Sequence, residues 1–128
     1  MTDAAGGKAF STDVADIGEG ATYSTDSDGI LTVGCQRAVI MLKATGANAS
    51  SAGTVTFNFT ANIGGSWSTS TWQSLTLTLA GTTAIITAPV LLDVSGLSAI
   101  RVYSIVNGDA TYHITNCNAI FSVPRFFM

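Results

Sequence analysis

The sequence predicts an all-β domain: an antiparallel β-sandwich or jelly-roll-like fold of eight or nine strands, with an extended N-terminal arm. Three observations carry this. Segments such as Thr54–Ala61 alternate apolar and polar residues with period two, the repeat of a strand with one buried face. Turn residues punctuate the chain about every ten positions, the spacing of sandwiches and barrels. No stretch of helical length repeats apolar residues at a 3.6 period.

Residues 1–28 show no sustained periodicity and are rich in Gly, Ala, Ser, Thr and Asp. They read as the arm, with one short edge strand near Phe10 to Ile17. Ile30–Val33 is a short apolar strand. Ala38–Ala44 (Ala-Val-Ile-Met-Leu-Lys-Ala) is a nearly continuous apolar run, as expected of a strand buried on both sides; it is short and uncapped for a helix. Thr54–Ala61 sets Val55, Phe57, Phe59 and Ala61 on one face and Thr54, Thr56, Asn58 and Thr60 on the other, with residue types that favour a pleated surface. Gly64-Gly65 and the Ser66–Thr71 tract form a loop carrying Trp67 and Trp72.

Ser74–Leu79 alternates again, with Leu75, Leu77 and Leu79 on one side. Gly81 marks a turn. Ala84–Thr87 and Val90–Val94 are short strands separated by Pro89, which favours an edge or a break. Ser95-Gly96 is a turn before a strand at Ile100–Val106. Asn107-Gly108 is the strongest hairpin dipeptide in the chain. It predicts that Thr111–Cys117 returns, with Asn118–Val123 as its continuation or as the last strand. The resulting division is an acidic arm, 1–28, and a sandwich domain, 29–128.

A chain of 128 residues suits one domain and can bury a core without staples. Hydrophobic residues make up 47% and charged residues 10%, where a soluble domain carries roughly 25% charged residues. Ser, Thr, Asn and Gly must cover its surface, which repels other chains poorly. Asp3, Asp13, Asp16, Glu19, Asp26 and Asp28 face Lys8 alone in the first 28 residues, whereas the remainder carries two net positive charges and the chain −3. Such an arm is either solvated or suited to a basic patch. Without a Lys/Arg stripe, nucleic-acid binding is not expected. No apolar run approaches the roughly 18 residues of a membrane span. Met1–Gly7 lacks the basic and apolar regions of a signal peptide, so folding in a cytosol is expected. Cys35 and Cys117 make neither a metal-ligand spacing nor a disulfide scaffold and read as free buried thiols.

Little in the chain suggests chemistry. His113, the single histidine, reads as a surface or interface residue. Glu19 is the single glutamate, so no glutamate pair serves glycoside hydrolysis. Zinc would need more ligands, and no phosphate loop is present. Asp26-Ser27-Asp28-Gly29 could begin a calcium loop, but Arg37 stands where the closing Glu belongs, which leaves an Asp-Gly turn. The expectation is therefore no enzymatic activity, no metal and no cofactor. Trp67 and Trp72, with Tyr112, could line a sugar platform; equally, Trp72 could plug one end of the sandwich while Trp67 packs on a neighbour. The terminal Pro124-Arg125-Phe126-Phe127-Met128 is apolar for a free end. Burying a Phe is worth roughly 1.5–3 kcal/mol, so this end either tucks into the core or docks on another chain. Together with the low charge it suggests an obligate assembly. The candidate partner-binding residues are Phe10, Asp13, Asp16, Trp67, Arg125, Phe126, Phe127 and Met128.

From Thr54 to Phe121 the chain resembles small structural proteins of tailed bacteriophage particles. The carriers are Val55-Thr56-Phe57, Gly65-Ser66-Trp67, Leu75-Thr76-Leu77 with Gly81-Thr82-Thr83-Ala84, Leu92-Asp93-Val94-Ser95-Gly96 with Ile100-Arg101-Val102, and Gly108-Asp109-Ala110-Thr111. The resemblance implies a β-sandwich virion component without catalytic residues. The expected role is capsid decoration (cement): a homo-oligomer, commonly a trimer, bound to the major capsid protein or other virion proteins on the capsid surface, after assembly in the host cytoplasm. A tail, neck or fibre part is the alternative within that class. A carbohydrate-binding module is the alternative outside it. The acidic arm and the Phe-Phe-Met end depart from the pattern.

Overall fold

The computed structural model describes residues 2–126, with side chains from 7 to 123. In chain order the strands are β1 (Thr2–Lys8), β2 (Thr22–Tyr23), β3 (Ile30–Leu31), β4 (Arg37–Gly46), β5 (Thr54–Ile63), β6 (Ser66–Trp67), β7 (Gln73–Thr78), β8 (Ala84–Ile86), β9 (Val90–Asp93), β10 (Ala99–Asn107) and β11 (Ile114–Phe126). They form two antiparallel sheets. The first runs β1-β11-β4-β8, with β9 also on β4; the second runs β2-β10-β5-β6, with β3 on β10 and β7 on β5. The fold is an all-β sandwich, as the alternating segments predict.

Alternation explains the core. Val55, Phe57 and Phe59 of β5 and Ile100, Val102 and Ile105 of β10 are fully buried, opposite Ile40 and Leu42 of β4. Phe59 meets Phe121 of β11 edge-to-face across the sheets, with centroids 6.2 Å apart. Burial of each such side chain stabilises by roughly 1.5–3 kcal/mol. Tight corners join the layers: a Cβ on Gly46 would lie 2.2 Å from the Gly81 carbonyl oxygen, so only glycine ends β4 there.

Two expectations change, and an alternative left open is decided. Strand β4 is not buried on both sides. Ala38, Ile40, Leu42 and Ala44 face the core, whereas Val39, Met41, Lys43 and Thr45 are half-exposed on the outer face. The unbroken apolar run arises because the outer row is apolar too.

Nor do the segments flanking Asn107-Gly108 form a hairpin. β10 pairs with β5, while β11 pairs with β4 in the other sheet. A two-residue type I′ turn needs positive φ at both positions, and neither Asn107 nor Gly108 has it. The Asn107 amide instead points inward, where Nδ2 lies within bonding distance of the Ile17, Gly18 and Tyr112 carbonyls (3.2, 2.9 and 3.0 Å). Asp109 then closes an Asx-type turn, accepting from the Thr111 and Tyr112 N–H groups, which hold its carboxyl below the ordinary range. His113 consequently sits in this loop, ahead of β11, and not in mid-strand.

Of the two readings of Asn118–Val123, the continuation holds: Ile114–Phe126 is one strand, made continuous by a bulge. Thr115 pairs with Thr45 and Asn118 with Lys43, which leaves one extra residue between them. Asn116 absorbs it at φ 51°, a left-handed conformation that Asn tolerates. The bulge switches core-facing parity from Ile114 to Cys117, Ala119, Phe121 and Val123.

Residues 2–31 line one side of the sandwich. β1 pairs with the end of β11; Ala9, Val14 and Ile17 then bond to Ala119, Cys117 and Ile114, continuing along the same edge. β2 and β3 next pair with β10, so the segment passes from one sheet to the other. Ala9, Val14 and Ile17 are buried.

Candidate functional site

The outer face of the first sheet carries an apolar row where a solvent-facing strand row is ordinarily polar. Direct cross-strand partners share a face. Val39 lies opposite Leu91 of β9, Met41 opposite Ile120 of β11, and Lys43 opposite Ile86 of β8. Leu91 and Ile86 are each 55% exposed, and Val39, Met41 and Ile120 are half-exposed. Five apolar side chains thus form one patch across the β8/β9, β4 and β11 strands. Their inward neighbours Ile85 and Leu92 pack on the core, so the outward apolar row is additional to what folding requires. The sequence reading missed these five. The available signal was the outward half of Ala38–Ala44 and Val90–Val94, which stays apolar where Thr54–Ala61 turns polar.

Beside this face lie the N-terminal candidates. Phe10 packs edge-to-face on Tyr23, with centroids 5.7 Å apart. Its N–H donates to Asn118 Oδ1 and its carbonyl accepts from Asn118 Nδ2, at 3.0 and 2.9 Å. The same Nδ2 donates to Asp13 at 2.7 Å, and Lys43 Nζ approaches Asp13 to 2.6 Å. The Asn118 bond, followed by the Lys43 bond, holds the Asp13 carboxyl below its usual range. Asp16 faces His113 Nδ1 at 2.9 Å and Glu19 faces Nε2 at 2.7 Å. Two carboxylates on one ring suit the doubly protonated imidazolium, and Asp16 above all raises the His113 pKa. Asp26 pairs with Arg101 at 3.4 Å. Four acids of the acidic segment therefore meet basic groups of this same chain.

Trp67 lies on the other sheet, beside the tip of β5. The Arg101 guanidinium stacks 4.1 Å from its ring centroid. Gly29, at φ +84°, lets the backbone pass the indole edge, where a Cβ would come within 3.2 Å. Trp67 and Trp72 line one groove of about 610 Å³ with Leu97, Ser66, Ser70 and Thr71. Tyr112 lies elsewhere, in the loop after β10. Arg101 had no sequence signal as a support for Trp67, being 34 positions away.

At the other end of the chain, Arg125 and Phe126 lie in β11 opposite Asp3 and Thr2 in backbone register. Phe127 and Met128 lie outside the described residues. The structure thus brings Phe10, Asp13 and Asp16 together along one edge and sets Trp67 apart from them.

Among the described residues no group of three or more His, Cys, Asp and Glu side chains is placed to hold a metal. Cys35 and Cys117 are both free and buried. Burial, followed by the nearby Asp13 charge, pushes the Cys117 thiol up to about 12, which keeps it protonated and unreactive. Among the described residues no helix is long and apolar enough to cross a membrane.

No protein-family model matches the chain, and no curated protein matches it. Solved structures align with it over most of its length. A chain in the structure of infectious bursal disease virus Gx strain aligns with 98% of this chain and 33% of its own length, at TM-score 0.57 and 10% identity. The PRD1 vertex protein P5 aligns over 98% of this chain and 97% of its own, at TM-score 0.49 and 12% identity. The SPBc2 prophage-derived protein YomS aligns over 97% and 95%, at TM-score 0.48 and 10% identity. At such identity the likeness to the virus chain establishes the fold alone, a β-sandwich that spans a third of that chain.

Proposed function

We propose that this chain is a non-catalytic structural protein of a virion, of the capsid-decoration type. In this reading it self-associates as a trimer through the outer face of the β4 sheet and in that form binds and stabilises a capsid surface. The observation that carries the reading is the patch of Val39, Met41, Ile86, Leu91 and Ile120. An apolar patch of this kind marks a contact with another surface, and permanent self-contacts are the most apolar of interfaces. A decoration protein must also stay soluble before it meets its particle, which a patch covered by copies of itself permits. The resemblance of Thr54–Phe121 to phage structural proteins, and the occurrence of this sandwich in a virus structure, support the virion setting.

The test has two steps. Light scattering on the full chain should give about three times the 13.1 kDa chain mass. Mixing with undecorated, empty tailed-phage capsids should then co-pellet the protein at a fixed ratio to capsid subunits. A monomer that stays in the supernatant would overturn the reading in favour of a tail, neck or fibre part.

A further inference from the structure

We propose that the groove lined by Trp67 and Trp72 binds a neutral oligosaccharide of pyranose rings, with Trp67 as the stacking platform. The groove has the size of small-ligand sites, which run to roughly 300–1,000 Å³. Its apolar lining comes from the two tryptophans with Ile63 and Leu97, and its polar lining from Ser66, Ser68, Ser70 and Thr71. None of the lining residues carries a charge. A pyranose matches this combination: a C–H face for an indole, and a belt of hydroxyls that both donate and accept. The lining itself is uncharged, and the Arg101 guanidinium behind Trp67 is already paired with Asp26, which favours a neutral sugar over an acidic one.

Trp67 is also held in place before any ligand arrives. Arg101 stacks on the ring and is itself fixed by Asp26 at 3.4 Å and Thr60 at 3.4 Å. Gly29 packs at the ring edge. On the far side of the loop, the backbone N–H of Trp72 donates to the Phe59 carbonyl at 2.8 Å, and Thr71 shares a hydroxyl bond with Tyr103. Fixing the platform in advance lowers the ordering cost of binding. A proline-rich peptide also stacks on aromatic grooves, but it brings no hydroxyl donors for a Ser/Thr rim.

Isothermal calorimetry on the full chain tests this with cellohexaose, chitohexaose and maltohexaose, and with decaproline as the competing probe. At least one hexasaccharide should bind saturably. Trp67→Ala should weaken that binding about tenfold or more, or ~1.4 kcal/mol, while Trp67→Phe should retain most of it. Arg101→Ala, which keeps the indole and removes its support, should fall between them; it serves in place of Trp67→Ala if that variant does not fold. The proposal is overturned if no hexasaccharide binds, if decaproline binds instead, or if a folded Trp67→Ala binds as tightly as the wild type.

Discussion

The two outer faces of the sandwich are built on the same backbone pattern and finished in opposite ways. On the second sheet the outward rows of β5 and β7 are polar and bond to one another and to Ser104 and Arg101 of β10. Thr56 and Thr76 meet at 3.3 Å, Ser74 donates to Asn58 at 2.6 Å, Asn58 donates to Ser104 at 3.0 Å, and Arg101 reaches Thr60. On the first sheet the corresponding cross-strand neighbours are Val39 with Leu91 and Met41 with Ile120. A polar ladder satisfies itself within the sheet. An apolar row gains its stabilisation only when a second surface removes it from water. The second face is largely satisfied within the single chain, whereas in the proposed assembly the first would be completed by contact.

The largest expected effect follows from placing charge on the unfinished face. Leu91→Asp with Ile86→Asp should weaken self-association by about a hundredfold or more, since two buried aliphatic contacts are worth at least ~3 kcal/mol. Both residues are 55% exposed in the single chain, so its fold should persist by circular dichroism. The matched pair on the other face, Thr56→Asp with Ser74→Asp, should leave the light-scattering mass unchanged. If both pairs dissociate the protein, or neither does, the contrast between the faces does not govern assembly.

Next in size is Asp13, which neutralises the one lysine within the apolar face. Asp13→Ala deprives Lys43 of its counter-charge and takes one of two acceptors from Nδ2 of the fully buried Asn118. Loss of a partner by a buried polar group costs about 1–3 kcal/mol, visible as a lower melting temperature. Because the folded carboxyl titrates below its ordinary 3.8, the contribution is full above that value. It disappears as pH falls through the lower folded pKa. Wild type and variant should therefore converge in acid. A gap that persists there would mean that Asp13 acts by packing and not by charge.

The contrast also explains which parts of the fold were legible in the sequence. β5 and β7 could be read outright, because their inward and outward rows differ in polarity. β4 read as a strand buried on both sides, since an exposed face with an apolar outward row has the same composition as a covered one. Asn107-Gly108 carried a true turn signal with the wrong partner: side-chain bonds to Ile17, Gly18 and Tyr112 reuse the Asn and send the chain to the other sheet. The parity change between Ile114 and Cys117 marked the Asn116 bulge, but a one-residue slip is indistinguishable from a strand end without the partner. Val14 and Ile17 are edge-bonded to β11, yet the excursion of residues 10–13 breaks their alternation. The setting of Trp67 was not legible, because Arg101 and Gly29 reach it only through the fold.

A smaller effect should come from the finished face. Asn58→Ala cuts the Ser74–Asn58–Ser104 chain of bonds in its middle. Asn58 is half-exposed, so water replaces part of what is lost. The cost should be about 0.5–1.5 kcal/mol in urea melts, with oligomer mass unaffected. A change of mass would show that this face, too, takes part in assembly.

The smallest effect concerns His113, and it separates folding of the N-terminal segment from assembly. Asp16 and Glu19 raise the His113 pKa above its ordinary 6.5. A raised folded pKa stabilises fully below the unfolded value and is lost as pH climbs through the folded one. The wild type should therefore lose stability from about neutrality upward, and His113→Gln should lose that slope. The ring and the two carboxylates are 48%, 60% and 50% exposed, so water screens them and added salt should flatten the slope further. These charges tie residues 16–19 to the loop before β11, and none of the three groups belongs to the apolar patch. The melting temperature should thus follow pH while the light-scattering mass does not. If mass and melting temperature moved together through this window, the N-terminal segment, and not the outer face of β4, would be what joins one copy to the next.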